Sequence, residues 1–225
     1  MHNIQQLKVN GRSVLHRPAE DRASPVATLV LLHGYGADEY DLMGLASYFR
    51  ADIQVLSIRG GSVTPYGGAS WFDIDMLADG SLKFNIEQAK VATEAVIEII
   101  HMMQYDGTIP AEKIILGGFS QGATISNLVT IKEASLLKGL LVMSGRLPED
   151  IETLAGDKAR FADLPIFAGH GTHDNVIPIR FGHDIISFWG PIANLEHHEY
   201  PMGHEISQDE LSHILRWMEG ILTQN

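Results

Sequence analysis

The stretch IILGGFSQGATIS, residues 114–126, places a serine between two glycines where an apolar run meets a helical pattern. An ordinary turn would need only one glycine, and a serine that only caps a helix would stand at its first position without needing a glycine on each side. The central pentapeptide GFSQG, with Ser120 in the middle, predicts a sharp strand-to-helix turn that lifts the serine hydroxyl out of the sheet. Both glycines are then required, because a Cβ at either position would collide with the neighbouring strand or helix. The other interpretation is a glycine-rich turn with an ordinary capping serine.

Segments typical of strands and helices alternate along the chain around this turn. Short, mostly continuous apolar runs predict buried strands at 26–32, 53–58, 113–118, 138–145 and 164–171. The alternating run at 194–201 predicts one further strand. Apolar residues spaced three and four apart, or capping residues, predict helices, at 38–49, 85–103, 121–134, 180–189 and 207–222. A capping box of Ser207 and Glu210 is expected at the start of the last helix.

This alternation predicts an α/β fold, with a mostly parallel central sheet and helices on both faces. Asn10-Gly11 between two short runs predicts an N-terminal β-hairpin. No linker or charge run divides the chain, so residues 1–225 are expected to form a single domain. The glycine-rich stretch 59–80 contains Trp71 and Phe72, which favour an ordered cover over a free linker.

A serine hydroxyl needs a histidine base, and the histidine needs an acid that holds its tautomer. In the Gly-x-Ser-x-Gly context, the acid and then the histidine follow the serine along the chain. Asp174 follows the strand at 164–171, and His204 follows the strand at 194–201. Because parallel strands end at one edge of the sheet, the three side chains are expected to converge. Gly203 is expected to let the loop aim the histidine ring.

An anionic intermediate would need backbone donors near the serine. The loop after the strand at 26–32, LLHGYGADEYD, has two glycines that allow close approach, so the Tyr35 amide is one candidate donor. The Gln121 amide, directly after the serine, is the other. The His33 side chain is expected to be structural.

With these motifs in place, the chain resembles the phospholipase/carboxylesterase family of α/β-hydrolases, which includes bacterial carboxylesterases and acyl-protein thioesterases. The resemblance rests on LLHGYGADEYDL, WFDID, GGFSQGA, HGTHDNVIP and YPMGHEIS, which are spread over residues 29–207. It implies an α/β-hydrolase fold without a large cap domain, a catalytic triad and two amide donors at the positions derived above. It further implies that Trp71 lies over the cleft, and Phe119 and Ile177, within the same motifs, are candidate substrate-binding residues.

Composition excludes several function classes. With 28 acidic and 16 basic residues, the net charge of −12 argues against nucleic acid as a partner. There is no cysteine, so disulfides and thiolate chemistry are absent. No apolar window reaches the length of a membrane span, and the first residues do not resemble a secretory signal. A soluble, cytoplasmic protein that needs no cofactor or metal is expected, and a homodimer is plausible for the family.

The function expected is a serine hydrolase of carboxylic esters, acting through an acyl-enzyme on Ser120. Two alternatives remain: an acyl-protein thioesterase or lysophospholipase with the same triad, and a non-catalytic binding protein on a hydrolase scaffold. A metal site at His170, His173 and Asp174 and a phosphate-binding loop at 59–68 are weaker interpretations of the same sequence.

Overall fold

The computed structural model describes residues 4–21, 25–65, 67–76, 82–110 and 114–223. Parts of two sequence predictions lie outside these residues: residue 113 of one predicted strand, and residues 66 and 77–80 of the predicted cover.

The described strands fall close to the predicted ones, with additional short strands in the cover. In chain order they are β1 Gln5–Val9, β2 Arg12–Arg17, β3 Ala27–Leu32, β4 Ile53–Ile58, β5 Ser62–Val63, β6 Ala69–Ser70, β7 Ile74–Met76, β8 Leu82–Phe84, β9 Ile114–Phe119, β10 Leu137–Met143, β11 Pro165–Gly171 and β12 Asn194–Tyr200.

Eight of these strands form one sheet in the order β1-β2-β4-β3-β9-β10-β11-β12. The first two strands form the predicted hairpin, with Asn10 and Gly11 at φ 48° and 75°, and β2 pairs antiparallel with β4. All pairings from β4 to β12 are parallel. The carboxyl ends of these six strands therefore meet at one edge of the sheet, where parallel α/β folds place their sites.

Helices cover both faces of the sheet. They are α1 Glu39–Met43, α2 Ile86–Tyr105, α3 Gln121–Glu133, α4 Ile151–Ala155, α5 Arg180–Trp189 and α6 Gln208–Thr223, with short 3₁₀ segments at Gly44–Tyr48, Ala134–Leu136 and Lys158–Phe161. No helix among the residues described combines the length and the apolar character that crossing a membrane requires.

The core is split between the two faces because the central strands are buried on both sides. In β3, Val30 and Leu32 pack in the cluster under α2 and α3, whereas Leu29 and Leu31 pack in the cluster that includes α6 residues. This explains why β3 has an uninterrupted apolar sequence instead of an alternating one.

Two local predictions need correction. The segment 38–49 is not one α-helix: α1, capped by Asp38, ends at Met43 and continues as a 3₁₀ segment. The capping box at α6 is only half formed. The Ser207 hydroxyl accepts from the Glu210 amide at 3.1 Å, while the buried Glu210 carboxyl makes at most a weak contact with the Ser207 backbone. Burial raises the pKa of Glu210 to about 8.

Candidate active site

The turn at Ser120 connects β9 to α3 with strained backbone. Ser120 has φ 54° and ψ −114°, which a residue with a side chain rarely adopts. A Cβ on Gly118 would lie 2.3 Å from the Gly122 carbonyl oxygen, and one on Gly122 would lie 2.0 Å from the Leu32 carbonyl oxygen. Both flanking glycines are therefore required by the close approach of strand, turn and helix.

Three side chains from separate loops form one hydrogen-bonded row. His204 Nε2 lies 2.9 Å from Ser120 Oγ, and His204 Nδ1 lies 2.7 Å from Asp174 Oδ2. The Asp174 side chain is fully buried, while 17% of the His204 side chain is exposed. The structure thus brings together the three residues that the sequence singled out, with the hydroxyl at the exposed end of the row.

The loop after β11 holds the Asp174 carboxylate in place. Its Oδ1 accepts from the amides of Val176 and Ile177, both at 2.8 Å, which leaves Oδ2 for the histidine. His170 Nε2 donates to the Ile177 carbonyl at 2.7 Å, and burial lowers the pKa of His170. His170 therefore acts as a neutral brace of this loop.

The loop carrying Asp174 and the loop carrying His204 meet at Gly171. A Cβ on Gly171 would lie 2.4 Å from the carbonyl oxygens of both Met202 and Gly203. Gly203 itself has open space at its Cβ position and no left-handed φ. The expectation that Gly203 provides the needed freedom is thus wrong, because Gly171 is where the two backbones approach too closely for a side chain.

The loop after β3 is held by a buried histidine. The Gly60 amide donates to His33 Nε2 at 2.9 Å, which places the ring proton on Nδ1, where it donates to the Gly34 carbonyl at 2.7 Å. His33 is fully buried, and burial lowers its pKa. Its ring is therefore a neutral structural support.

The two amides predicted as oxyanion donors border the cleft at Ser120. Tyr35 and Gln121 both line it, and neither amide donates to another backbone carbonyl among the described residues. Gln121 is the first residue of α3, whose N-terminus contributes positive potential. No acidic side chain lies in the first turn of that helix to offset it. An anion formed at Ser120 would meet a favourable field.

The Gln121 side chain has a contact that sequence reasoning missed. Its Oε1 accepts from the Trp71 amide at 2.8 Å, and its Nε2 donates to the Phe72 carbonyl at 2.6 Å. All three residues are buried. Gln121 thereby fastens the cover segment to the start of α3. The only signal in the sequence was an amide side chain directly after the turn, because the partners of that side chain lie about 50 residues away.

Trp71 is not placed as the sequence suggested. Its side chain is buried, its indole NH donates to the His33 carbonyl at 2.8 Å, and its ring packs against the His33 ring. It therefore supports the loop after β3 from behind. The expectation that Trp71 contacts substrate is corrected, because its ring makes contacts inside the protein and does not line the cleft.

The other two candidate substrate-binding residues do border the cleft. Phe119 and Ile177 line a cavity of about 230 Å³ together with Ser120 and His204. The Phe119 ring also packs against the His204 ring, with 4.8 Å between centroids. This contact restricts the imidazole as well as shaping the cleft.

The histidines and acids near the cleft do not gather into a metal-binding cluster. Among the residues described, no three His, Asp or Glu side chains are grouped so that they could hold a metal ion. Asp174 uses its oxygens on His204 and on backbone amides, as described above.

Comparison with known proteins identifies the family. The family model of phospholipases and carboxylesterases matches residues 17–222. The chain belongs to the phospholipase/carboxylesterase family. Acyl-protein thioesterase 1 of Kluyveromyces lactis is 29% identical over 89% of this chain and 95% of its own length. Acyl-protein thioesterase 1 of Debaryomyces hansenii is 30% identical over 76% of this chain and 74% of its own. The crystal structure of the Bacillus cereus carboxylesterase superposes with a TM-score of 0.78 at 23% identity, over 94% of this chain and 95% of that one.

Family membership confirms the fold and the function class predicted from the sequence. The fold is that of the α/β-hydrolases, and the chain is a serine hydrolase of the carboxylesterase type. The roles of the individual site residues stay predictions.

Proposed function

We propose that the chain hydrolyses carboxylic esters with Ser120 as nucleophile, His204 as base and Asp174 as the residue that orients the base. The single observation that carries this is the continuous row from the hydroxyl through the imidazole to the buried carboxylate, at 2.9 and 2.7 Å. The row lies at the carboxyl edge of the parallel strands and opens into a cleft.

In the first half of the reaction, Ser120 Oγ attacks the acyl carbonyl carbon while its proton moves to His204 Nε2. Negative charge develops on the former carbonyl oxygen, and the Tyr35 and Gln121 amides donate to it. Collapse of this intermediate breaks the ester bond, and His204 returns the proton to the departing alcohol. An acyl group remains on Ser120.

In the second half, water attacks the acyl-enzyme and His204 takes the proton of the water. The acid is released, and the proton returns to Ser120 Oγ. Throughout, Asp174 stabilises the imidazolium and keeps Nδ1 protonated, as its 2.7 Å contact with His204 allows. The backbone amides that hold the other carboxylate oxygen support this orientation.

A fluorophosphonate probe tests the assignment. We expect covalent labelling at Ser120 and loss of labelling in Ser120→Ala and in protein denatured beforehand. We expect Ser120→Ala to lower kcat on p-nitrophenyl butyrate by about a millionfold, as removal of the nucleophile does in other triads. An unlabelled wild-type protein would instead support the binding-protein alternative, and a nearly active Ser120→Ala would reject the nucleophile.

A thioester substrate is the second candidate, and the names of the relatives favour it. Two relatives at 29% and 30% identity are acyl-protein thioesterases. The cleft at Ser120 encloses only about 230 Å³, which supports short acyl groups unless the substrate extends into the neighbouring groove. Comparing kcat/KM for p-nitrophenyl butyrate, p-nitrophenyl palmitate and a palmitoyl thioester separates ester from thioester preference and short from long chains.

Four broader expectations remain proposals. A single domain over 1–225 is supported by the one eight-stranded sheet that contains strands from both ends of the described chain. A cytoplasmic location is supported by the absence of cysteine, and cell fractionation tests it. A homodimer is testable by light scattering. The excess of 28 acidic over 16 basic residues supports the expectation that nucleic acid is not a partner.

A further inference from the structure

Arg146, two residues beyond the Ser144 that follows β10, is held between two aromatic rings at the wall of the cleft. Its guanidinium carbon lies 4.1 Å from the centroid of the Phe84 ring and 4.7 Å from that of Phe181. Only 14% of its side chain is exposed. The Thr124 hydroxyl donates to its carbonyl oxygen at 3.0 Å, which attaches this residue to α3. A cation is therefore fixed in a mostly apolar setting beside the nucleophile's cavity, which it helps to line.

Within the part of the chain that the structure describes, this cation has no close acidic partner that is buried with it. The nearest carboxylate among the described residues is that of Glu149, 3.7 Å from Nη2, and 95% of the Glu149 side chain is exposed. No described residue accepts a hydrogen bond from the guanidinium within normal distance. Burial lowers the pKa of Arg146. A half-buried guanidinium without acceptors is costly, and proteins usually pair such groups.

A second arginine lies next to the same ring. The Arg180 guanidinium carbon is 4.6 Å from the Phe181 centroid, and no ion pair is found for it among the described side chains. Among the charged groups that act on Arg146, Glu149 and Asp184 raise its pKa, whereas Arg180 lowers it, as a like charge does. Two cations at one ring repel each other, and an anion bound near both would offset that repulsion.

The two arginines border a groove that continues from the cleft. This groove has a volume of about 860 Å³ and shares five lining residues with the cavity at Ser120. The shared residues are Phe84, Thr124, Arg146, Val176 and Ile177. Asp150 also borders the groove, but it lies 3.6 Å from Lys90, which offsets its charge. A substrate reaching from Ser120 into the groove would therefore pass Arg146 first and Arg180 next.

We propose that Arg146, assisted by Arg180, forms a subsite for an anionic oxygen group, a carboxylate or a phosphate, carried by the ester substrate. The inference rests on the proposed function, because the anion is placed relative to an ester bond at Ser120. A planar guanidinium binds either oxyanion through two parallel hydrogen bonds. The rings of Phe84 and Phe181 hold the plane of Arg146, so little side-chain entropy is lost on binding. The preferred substrates are then acid-bearing esters, and uncharged esters are the poorer ones.

The test uses esters that share the same butyryl or adipate framework and carry either an anionic or a neutral group. On the alcohol side, 4-(butyryloxy)benzoate and 4-(butyryloxy)phenyl phosphate are compared with the neutral 4-(butyryloxy)benzamide. On the acyl side, methyl hydrogen adipate is compared with methyl 6-amino-6-oxohexanoate. For at least one pair, we expect the wild-type kcat/KM to favour the anion by about tenfold or more, the range of a hydrogen bond to a charged group. The phosphate and carboxylate arms distinguish the two oxyanions.

Three variants locate the effect. Arg146→Gln should lower the anion-to-neutral ratio of kcat/KM by about tenfold to hundredfold, and Arg180→Gln by a few-fold, because Arg180 is more exposed. Arg216→Gln is the control, since it removes the same charge from an exposed position on α6, away from the cleft. Its ratio should remain within about twofold of wild type, because salt screens distant surface charges. Using a ratio removes any general effect of a variant on folding or turnover.

A binding measurement keeps the proposal testable without turnover. In Ser120→Ala protein, the anionic ester of at least one of these pairs should bind at least about tenfold more tightly than its neutral counterpart by calorimetry, and adding Arg146→Gln should abolish the difference. Equal affinity within every pair, or an equal ratio of kcat/KM in wild type and Arg146→Gln for every pair, would overturn the anion subsite while leaving the esterase proposal intact. Failure of the fluorophosphonate label would instead reject the proposed function.

Discussion

The amide side chain of Gln121 offers a sharp test of how the cleft is held together. It bridges the start of α3 to the cover segment through hydrogen bonds to the Trp71 amide and the Phe72 carbonyl. In Gln121→Ala both backbone groups stay buried and lose their partner. A buried polar group left without a partner costs about 1–3 kcal/mol, so two of them predict a loss of about 2–6 kcal/mol of unfolding free energy.

The chain provides a matched control in Gln88. Its side chain also makes two hydrogen bonds to the cover, accepting from the Asp73 amide at 2.6 Å and donating to the Asp73 carboxylate at 2.8 Å. These bonds are exposed, so water replaces them in Gln88→Ala. The expected loss is below about 1 kcal/mol. The two variants remove the same side chain and the same number of bonds, and differ in burial.

Urea unfolding at 25 °C, followed by far-UV circular dichroism, measures both losses. Trp71 also donates to the His33 carbonyl, so Gln121→Ala should disturb the loop that carries the Tyr35 amide. Loss of one oxyanion donor costs up to about 4 kcal/mol of transition-state stabilisation, which sets a ceiling of about a thousandfold on the fall in kcat/KM. If the losses of unfolding free energy in the two variants agree within about 0.5 kcal/mol, burial of the Gln121 contacts does not add to stability and the prediction is wrong.

Three further predictions concern the turn, the triad and a buried acid. Gly122→Ala should lower the unfolding free energy by about 3 kcal/mol or more, because its Cβ would meet the Leu32 carbonyl oxygen at 2.0 Å. Gly220→Ala, in open space on α6, should raise the unfolding free energy by about 0.5–1 kcal/mol, and thermal unfolding of both variants checks the difference. Asp174→Asn should lower kcat by about ten-thousandfold at pH 7 with little change in unfolding free energy, and a near-normal rate would show that the carboxylate is not needed. The pKa of Glu210 in the folded protein, about 8, lies above its ordinary value of 4.5. The unfolding free energy of the wild type should therefore fall as the pH rises between those two values, by at most about 5 kcal/mol. In urea titrations from pH 4 to 9, Glu210→Gln should flatten this pH profile, and identical profiles for the two proteins would contradict the prediction.

Much of the fold was predictable because local patterns and tertiary packing agree. The helix expected at 85–103 is observed as Ile86–Tyr105, and the helix expected at 180–189 has those bounds. The buried parallel strands were predictable from their continuous apolar runs, because such runs are favourable only where both faces of a strand are buried. The segment 38–49 deviated because capping and periodicity do not specify where an α-helix tightens into a 3₁₀ turn.

The site was predictable where chemistry restricts the residue type, and less so where packing decides. Trp71 shows the limit: its motif predicted a position over the cleft, but the ring is inserted behind the loop after β3. Arg146 is the opposite case, because no neighbouring residue in the sequence indicates a role for it. Its significance depends on Phe84 and Phe181, which lie far from it in sequence and meet it only in the folded protein.

By itself the sequence determined the order of strands and helices and the strained turn at Ser120, and it predicted the acid and the base, because each depends on residue type and spacing along the chain. Only the tertiary structure decided that two loops approach each other closely at Gly171, and that the Arg146 guanidinium has no close, buried acidic partner among the residues described. The physical reason is that steric contact and charge pairing act over a few ångströms in space. Residues that are distant in the chain acquire those neighbours only when the sheet brings its loops to one edge.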